Sequence, residues 1–381
     1  MSEAVPRVTW HDAAGLAHAA RWISESGAKP PARVAVVDDA LSADAAYRMS
    51  CEGTALLWTG DYHNARQLLQ AMGRRFDRSR AGRRAVSDPA EAFHLYRMTQ
   101  AQRARTLGQL LLPFEPGWRL SLGRAPDVTA ACHAAWGELA EPAVLSLREL
   151  LGALGAWQWR LNGVEVPALG ARIHPHYGVF APVRGEYVDL VARAPLPAGV
   201  KSAVDLGAGT GVLAALLARR GVERVIATDN SPRALACARD NLARLGLSER
   251  IELVETDLYP PGRVDLVVCN PPWLPAKAAS SLDRAVYDPE GSMLKGFLAG
   301  LADHLEPAGE GWLILSDLAE RLGLRAPGEL QVAFAAAGLE VRDRLDARPR
   351  HGRAEDEDAP LHAARKDEIT SLWRLAPVTT V

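Results

Sequence analysis

Val204-Asp205-Leu206-Gly207-Ala208-Gly209-Thr210-Gly211 reads as the end of a buried strand, a tight turn and the opening of a helix. In open α/β sheets, ligands bind in the crevice outside the carboxyl ends of the strands, where such turns lie. Glycine at 207 and 209 lets a ligand approach the backbone closely, because a side chain there would fill the space. The sequence beyond repeats the alternation. Strands are predicted at 203–206, 224–228, 251–254, 264–269 and 311–316, and helices at 211–220, 232–245 and 293–305. The second helix opens with Ser231 as N-cap and Pro232 at its first position. This pattern folds as a mostly parallel sheet covered on both faces. After Gly338, strands at 339–345 and 369–375 are expected to pair antiparallel as a closing edge, separated by a charged loop containing Glu355-Asp356-Glu357-Asp358.

Acidic residues follow the glycine turn in order. Asp229 ends the second strand, where a carboxylate can accept from two ribose hydroxyls, and Asp257 ends the third, within reach of an adenine edge. Together with Asp205 they define a nucleoside pocket, expected to be lined by Gly207, Ala208, Gly209, Gly211, Asn230, Leu258 and Asn270 as well. A dinucleotide fingerprint would place its third glycine one position later and serve a pyrophosphate at the helix N-terminus. An acid at Asp205 suits a cation better than a phosphate, which points to S-adenosyl-L-methionine and its sulfonium.

The fourth strand runs directly into Asn270-Pro271-Pro272-Trp273. Two consecutive prolines fix φ near −65° and remove two N–H donors, leaving a rigid backbone that offers carbonyls. An amide nitrogen, or the exocyclic amine of a base, is a poor nucleophile because its lone pair is delocalised. If the Asn270 oxygen and the Pro271 carbonyl each accept one of its N–H bonds, the lone pair turns toward the methyl group as the transition state forms. Trp273 offers a flat face for the target. Asn270, Pro271, Pro272 and Trp273 are therefore the candidate catalytic group.

From about Pro167 onward the chain resembles class I methyltransferases of the small-domain group that carry an Asn-Pro-Pro-aromatic motif. It is most similar to the release-factor glutamine methyltransferases, and next to ribosomal RNA guanine and adenine-N6 methyltransferases. The resemblance rests on Asp205 to Gly211, Asp229, Thr256-Asp257-Leu258 and Asn270 to Pro275, with Leu282 to Pro289 and Gly178 to Pro182 as further similar segments. It implies that Gly207, Gly209, Asp229 and Asp257 hold the cofactor and that Asn270 and Pro271 hold the substrate nitrogen. Three features depart from that family. Val183-Arg184-Gly185-Glu186-Tyr187 stands where Arg-Pro-Glu-Thr-Glu is usual, Trp273 replaces the more usual tyrosine, and the N-terminal domain is longer.

Upstream, helices are predicted at 11–24, 61–75, 90–112 and 142–154 with short strands at 33–37 and 55–58, giving an additional α/β or mainly helical domain. Asn162-Gly163, between 157–161 and 164–166, predicts a hairpin joining the domains, because both turn residues tolerate positive φ. The expected division is 1–155 for an accessory or substrate-recognition domain, 156–168 for the hairpin linker and 169–381 for a Rossmann-like class I methyltransferase sheet, mostly parallel with an antiparallel last strand.

Composition sets outer bounds. Hydrophobic residues make up 48% and charged residues 24% of the 381, enough apolar material for buried cores. A net charge of −2 gives no global attraction to polyanions, so a nucleic-acid contact would need a local patch such as Arg74 to Arg84. Cys51, Cys132, Cys237 and Cys269 have no paired spacing, and His174 and His176 have no companion ligand nearby. No metal site or disulfide framework is expected, and a reducing cytoplasm fits. No membrane-spanning run is read. The acceptor is expected to be a protein glutamine or an RNA base, with a small molecule as the alternative and a non-catalytic cofactor-fold module as the other.

Overall fold

The computed structural model describes residues 5–79, 86–278, 282–349 and 361–378. The chain divides into two compact units, Met1–Ser87 with His94–Gln158, and Asp88–Phe93 with Trp159–Val381.

The first unit is α/β. Its elements are β1 (Arg7–His11), β2 (Ala17–Trp22), β3 (Val34–Val37), α1 (Ala43–Cys51), β4 (Ala55–Trp58), α2 (Tyr62–Arg78), α3 (Pro89–Leu107), β5 (Leu110–Phe114), α4 (Thr129–Trp136), β6 (Ala143–Ser146) and α5 (Leu147–Asn162). The strands form one sheet in the order β1-β2-β6-β5-β4-β3. Three expected helices give way in part to strands. The predicted helix at 11–24 is the β1–β2 hairpin. Asp12 Oδ1 accepts from Ala14 and Leu16 N–H, and Gly15 takes φ +79, so a turn captures the segment before an alanine-rich helix can form. At 90–112 the helix ends at Leu107, and the apolar run Leu110–Phe114 pairs with β4 and β6. At 142–154 the first residues become β6, buried throughout between β2 and β5, and Ser146 Oγ accepts from Glu149 N–H where the helix begins.

The linking hairpin across Asn162-Gly163 is also corrected. Residues 157–161 are the last turns of α5, and Gly163 (φ +67) donates to Trp159 O, closing the helix. The positive φ that suits Asn-Gly to a hairpin suits glycine equally to a helix C-terminus. The hairpin that does form pairs β7 (Val164–Val166) with β8 (Ala171–Ile173). Of the arginine patch, Arg74, Arg75 and Arg78 lie on α2, with Arg75 on Asp44, while Arg80, Arg83 and Arg84 lie outside the described residues. The acidic run 355–358 lies outside them too.

The second unit continues with α6 (Glu186–Arg193), β9 (Ser202–Leu206), α7 (Val212–Arg219), β10 (Arg224–Asp229), α8 (Pro232–Arg244), β11 (Ile251–Glu255), β12 (Val264–Cys269), α9 (Ser292–His304), β13 (Leu305–Ser316), α10 (Leu318–Arg321), α11 (Glu329–Ala336), β14 (Leu339–Ala347), α12 (His362–Arg365) and β15 (Thr370–Pro377). Its sheet runs β11-β10-β9-β12-β13-β15-β14, with the first five strands parallel and β15 antiparallel to both neighbours. This is the expected mostly parallel sheet with an antiparallel last strand. The near-continuous apolar runs of β9 and β12 are buried on both faces, as parallel central strands must be. Ser231 caps α8 through Ala234 N–H, with Pro232 opening the helix. After β11 the chain crosses back to the other side of β9, so a topological switch point lies between β9 and β12. Among the described residues no helix is long and apolar enough to cross a membrane.

Candidate active site

Register brings the two sequence motifs together. Leu206, the last residue of β9, pairs with Thr228 of β10 and with Cys269 of β12. Gly207, Asp229 and Asn270 therefore leave the sheet side by side at its carboxyl edge, with strands about 4.8 Å apart.

The glycine turn is held by backbone bonds. Gly207 and Ala208 N–H both donate to Thr228 O at 2.8 Å, and Gly209 N–H donates to Asp229 Oδ2 at 3.0 Å. Gly207, Gly209 and Gly211 all have left-handed φ, at 75°, 53° and 78°. A Cβ at Gly211 would stand 3.2 Å from Ala238 Cβ, so this glycine permits α7 to pack closely on α8. A Cβ at Gly209 would meet only the Gly207 carbonyl, at 4.0 Å, so the space there is open, whereas a Cβ at Gly207 would stand 2.9 Å from Met293 Cε, which already fills that side of the turn.

Asp205 is 1% exposed, and its Oδ2 accepts from Ala214 N–H at 2.9 Å. Burial raises its carboxyl to about 7. Where the sequence suggested contact with a cationic ligand, this side chain sits beneath the turn and ties β9 to the first turn of α7. Asp229 Oδ1 accepts from Ser231 N–H at 2.9 Å, and each of its oxygens keeps a further lone pair for an incoming hydroxyl. Asn230 Nδ2 donates to Asp257 Oδ1 at 3.0 Å, linking the ends of two neighbouring strands. Leu258 accepts from Thr228 Oγ1 through its carbonyl and packs against the core.

Asn270, Pro272 and Trp273 are half-buried and Pro271 is buried. The Trp273 indole N–H donates to Asn270 Oδ1 at 2.9 Å, and the Arg184 guanidinium lies 4.8 Å from the Trp273 ring centre. Past the motif the chain folds back on itself. Leu274 N–H donates to Val286 O, and Asp288 N–H donates to Leu274 O. Asp288, 4% exposed, accepts from Ser292 Oγ and from Met293 and Leu294 N–H at the start of α9.

His174 and His176 are occupied structurally. His174 Nδ1 is 2.7 Å from Arg160 O, and His176 Nε2 is 2.9 Å from Asp240, which also pairs with Arg160. Asn241 was not among the expected site residues. It is 1% exposed; its Oδ1 accepts from His174 N–H, and its Nδ2 donates to the His174 and Thr210 carbonyls, bracing the glycine turn from α8. A polar residue among the inward apolar positions of that helix was its only signal. Asp288 lies in the Leu282–Pro289 segment of the resemblance, but nothing there marked this aspartate as the residue that opens α9.

Residues 171–321 match the model of the methyltransferase small domain. Among curated relatives, the release factor glutamine methyltransferase of Cereibacter sphaeroides is 37% identical over 172 residues, covering 42% of this chain and 60% of that protein. The ribosomal protein L11 methyltransferase of Tolumonas auensis is 34% identical over 123 residues, covering 32% and 42%. The chain thus spans 60% or less of the length of these relatives. A solved methyltransferase from Pyrococcus furiosus aligns over 59% of this chain and 98% of its own at 17% identity, with a TM-score of 0.39.

The match of residues 171–321 to the methyltransferase small domain points to S-adenosyl-L-methionine as cofactor. The residues present fit that molecule, with an open cradle at Gly209, a carboxylate at Asp229 with lone pairs to spare, and no phosphate-binding lysine in the turn.

Proposed function

We propose that residues 159–381 transfer a methyl group from S-adenosyl-L-methionine to a planar amide nitrogen of a protein, with glutamine as the acceptor side chain: the N–CH3 bond forms as the S–CH3 bond breaks, S-adenosylhomocysteine leaves and one amide proton is released to solvent. The observation that carries this reading is the register placing Asn270-Pro271-Pro272 beside the glycine turn at one sheet edge.

Gly207, Ala208, Gly209 and Gly211 form the cradle, and Asp229 takes the ribose hydroxyls. Asp257, steadied by Asn230, and Leu258 border the base. Asp205 holds the turn from below. The cofactor supplies a methyl group already activated by positive sulfur. Asn270 Oδ1, with one lone pair on the indole, accepts one acceptor N–H through the other, and the Pro271 carbonyl accepts the second. Neither Pro271 nor Pro272 presents an N–H that would compete. Holding the nitrogen in line is an effect that can supply roughly 7–11 kcal/mol.

A protein amide is favoured over an RNA base because the net charge of −2 offers no general grip on phosphate, and because a relative at 37% identity is named for release-factor glutamine. The test supplies radiolabelled S-adenosyl-L-methionine and a cell extract to the full chain. Label is expected in protein, released on complete digestion as N5-methylglutamine. Label confined to RNA or to the low-molecular-weight fraction overturns the substrate assignment, and absence of cofactor binding at millimolar ligand overturns the whole reading.

A further inference from the structure

Trp273 departs from the tyrosine that the resemblance leads one to expect, and Val183-Arg184-Gly185-Glu186 departs from the expected run as well. The two departures meet in space. Arg184 Nε donates to Glu186 Oε1 at 2.7 Å, and its Nη2 donates to Glu368 Oε1 at 3.0 Å. Both carboxylates are buried, Glu186 5% and Glu368 1% exposed. Glu368 Oε1 also accepts from Ser316 Oγ at 2.6 Å, at the carboxyl end of β13. The guanidinium is thus fixed from the start of α6, from the segment before β15 and, through Glu368, from β13, and it lies over the Trp273 ring.

An indole N–H can only donate. Its partner 2.9 Å away on Asn270 must therefore be the amide oxygen, which settles which way the carboxamide faces. A tyrosine hydroxyl, which both donates and accepts, would tolerate either amide orientation. The Arg184 cation lies over the indole ring, which also packs against the core on both sides of the sheet, so the ring is held from several directions.

We infer that Arg184, held by Glu186 and Glu368, is a positioning residue that sets Trp273 and, through the indole N–H, orients the Asn270 carboxamide as an acceptor. This rests on the proposed role of Asn270. Trp273 then acts through its edge as well as its face. Arg184 acts on the reacting atoms through Trp273.

Two readouts on the full chain, labelled with 15N-tryptophan, test this. The indole resonance missing in Trp273→Phe identifies Trp273. It is expected to shift in Asn270→Ala and in Arg184→Lys, which preserves the charge but loses the planar fork. Its remaining in place in either variant overturns the inference, whatever the activity. In the second readout, Trp273→Phe, which keeps the ring and removes the donor, is expected to lower kcat for protein methylation about tenfold or more, with the S-adenosyl-L-methionine Kd within about twofold. Wild-type kcat in Trp273→Phe, with kcat lost only in Trp273→Ala, shows a stacking face alone and overturns it. Glu186→Gln, a milder disturbance of the same cluster, is expected to lower kcat in the same direction with the Kd unchanged; an unchanged kcat there contradicts the bracing role. Absence of methyl transfer in the wild type removes the functional reading, while the indole resonance still decides whether the Trp273–Asn270 pair exists.

Discussion

Burial raises the Asp205 carboxyl from its ordinary 3.8 to about 7, so the folded protein retains a proton there that the unfolded chain gives up. Over that window the folded state binds more protons than the unfolded state, and this group's contribution to stability falls as pH rises from about 4 to about 7. Asp205→Asn should remove that slope, since an amide does not titrate and its oxygen can still accept from Ala214. Thermal denaturation of both proteins from pH 4 to 8 should show the wild type losing stability relative to the variant across this range. Parallel curves would contradict the placement of the carboxyl. The acid itself was legible in the sequence, but its role was not. Its chemistry suggested a partner for a cation, whereas the strand phase buries it under the turn, and phase relative to a turn is settled only by packing. At Trp273 the reverse holds: an aromatic face was legible, but a donor to Asn270 three residues back was not, because that bond depends on how two prolines bend the chain.

Among the elements, α8 does more than cover the sheet. Asn241 on its inner face satisfies the N–H and carbonyl of His174 and the carbonyl of Thr210. Asn241→Ala removes the partner of the His174 N–H and of the Thr210 carbonyl, while the His174 carbonyl keeps the Cys237 thiol, and should cost about 2–3 kcal/mol in denaturant unfolding. It should also weaken cofactor binding, because Thr210 belongs to the glycine turn. Gly211→Ala should destabilise by about 1–2 kcal/mol, since the position is left-handed and the new methyl meets Ala238. A value near zero for either would show that α8 does not hold the turn. The strands β9 to β12 and the helices between them were readable because each combined an apolar run or stripe with a capping or turn signal, as Ser231-Pro232 does for α8. In the first unit β5 and β6 adjoin helical sequence, with Gly108 before β5 and Ser146 at the start of α5 as the signals at those boundaries. Their strand character comes from pairing with distant partners, which a local pattern does not contain. Asn162-Gly163 failed for a different reason, because two structures demand the same backbone from it.

At the scale of the whole molecule, two α/β units share one chain, and the motif-bearing unit recruits Asp88–Phe93 from far upstream. Phe93, 2% exposed, packs with Leu274, Leu318 and Leu322, and Leu274 directly follows the Asn-Pro-Pro-Trp motif. Phe93→Ala should therefore cost about 3–5 kcal/mol of stability and reduce methyl transfer with it; a loss below about 1 kcal/mol would show that the cluster does not need this residue. No local sequence feature marked that contribution. What the sequence did contain at this scale was the sheet class, because the glycine turn, the acids and Asn-Pro-Pro-Trp stand at or just past the carboxyl ends of the successive strands β9 to β12. The account as a whole rests on Asn270 as the clamp for the acceptor nitrogen. Single-turnover methylation by Asn270→Ala, with cofactor binding followed by calorimetry on the same sample, tests this most directly. A fall in rate of about a hundredfold or more with the S-adenosyl-L-methionine Kd within about threefold is the expected result, and full methylation by the variant would contradict the account.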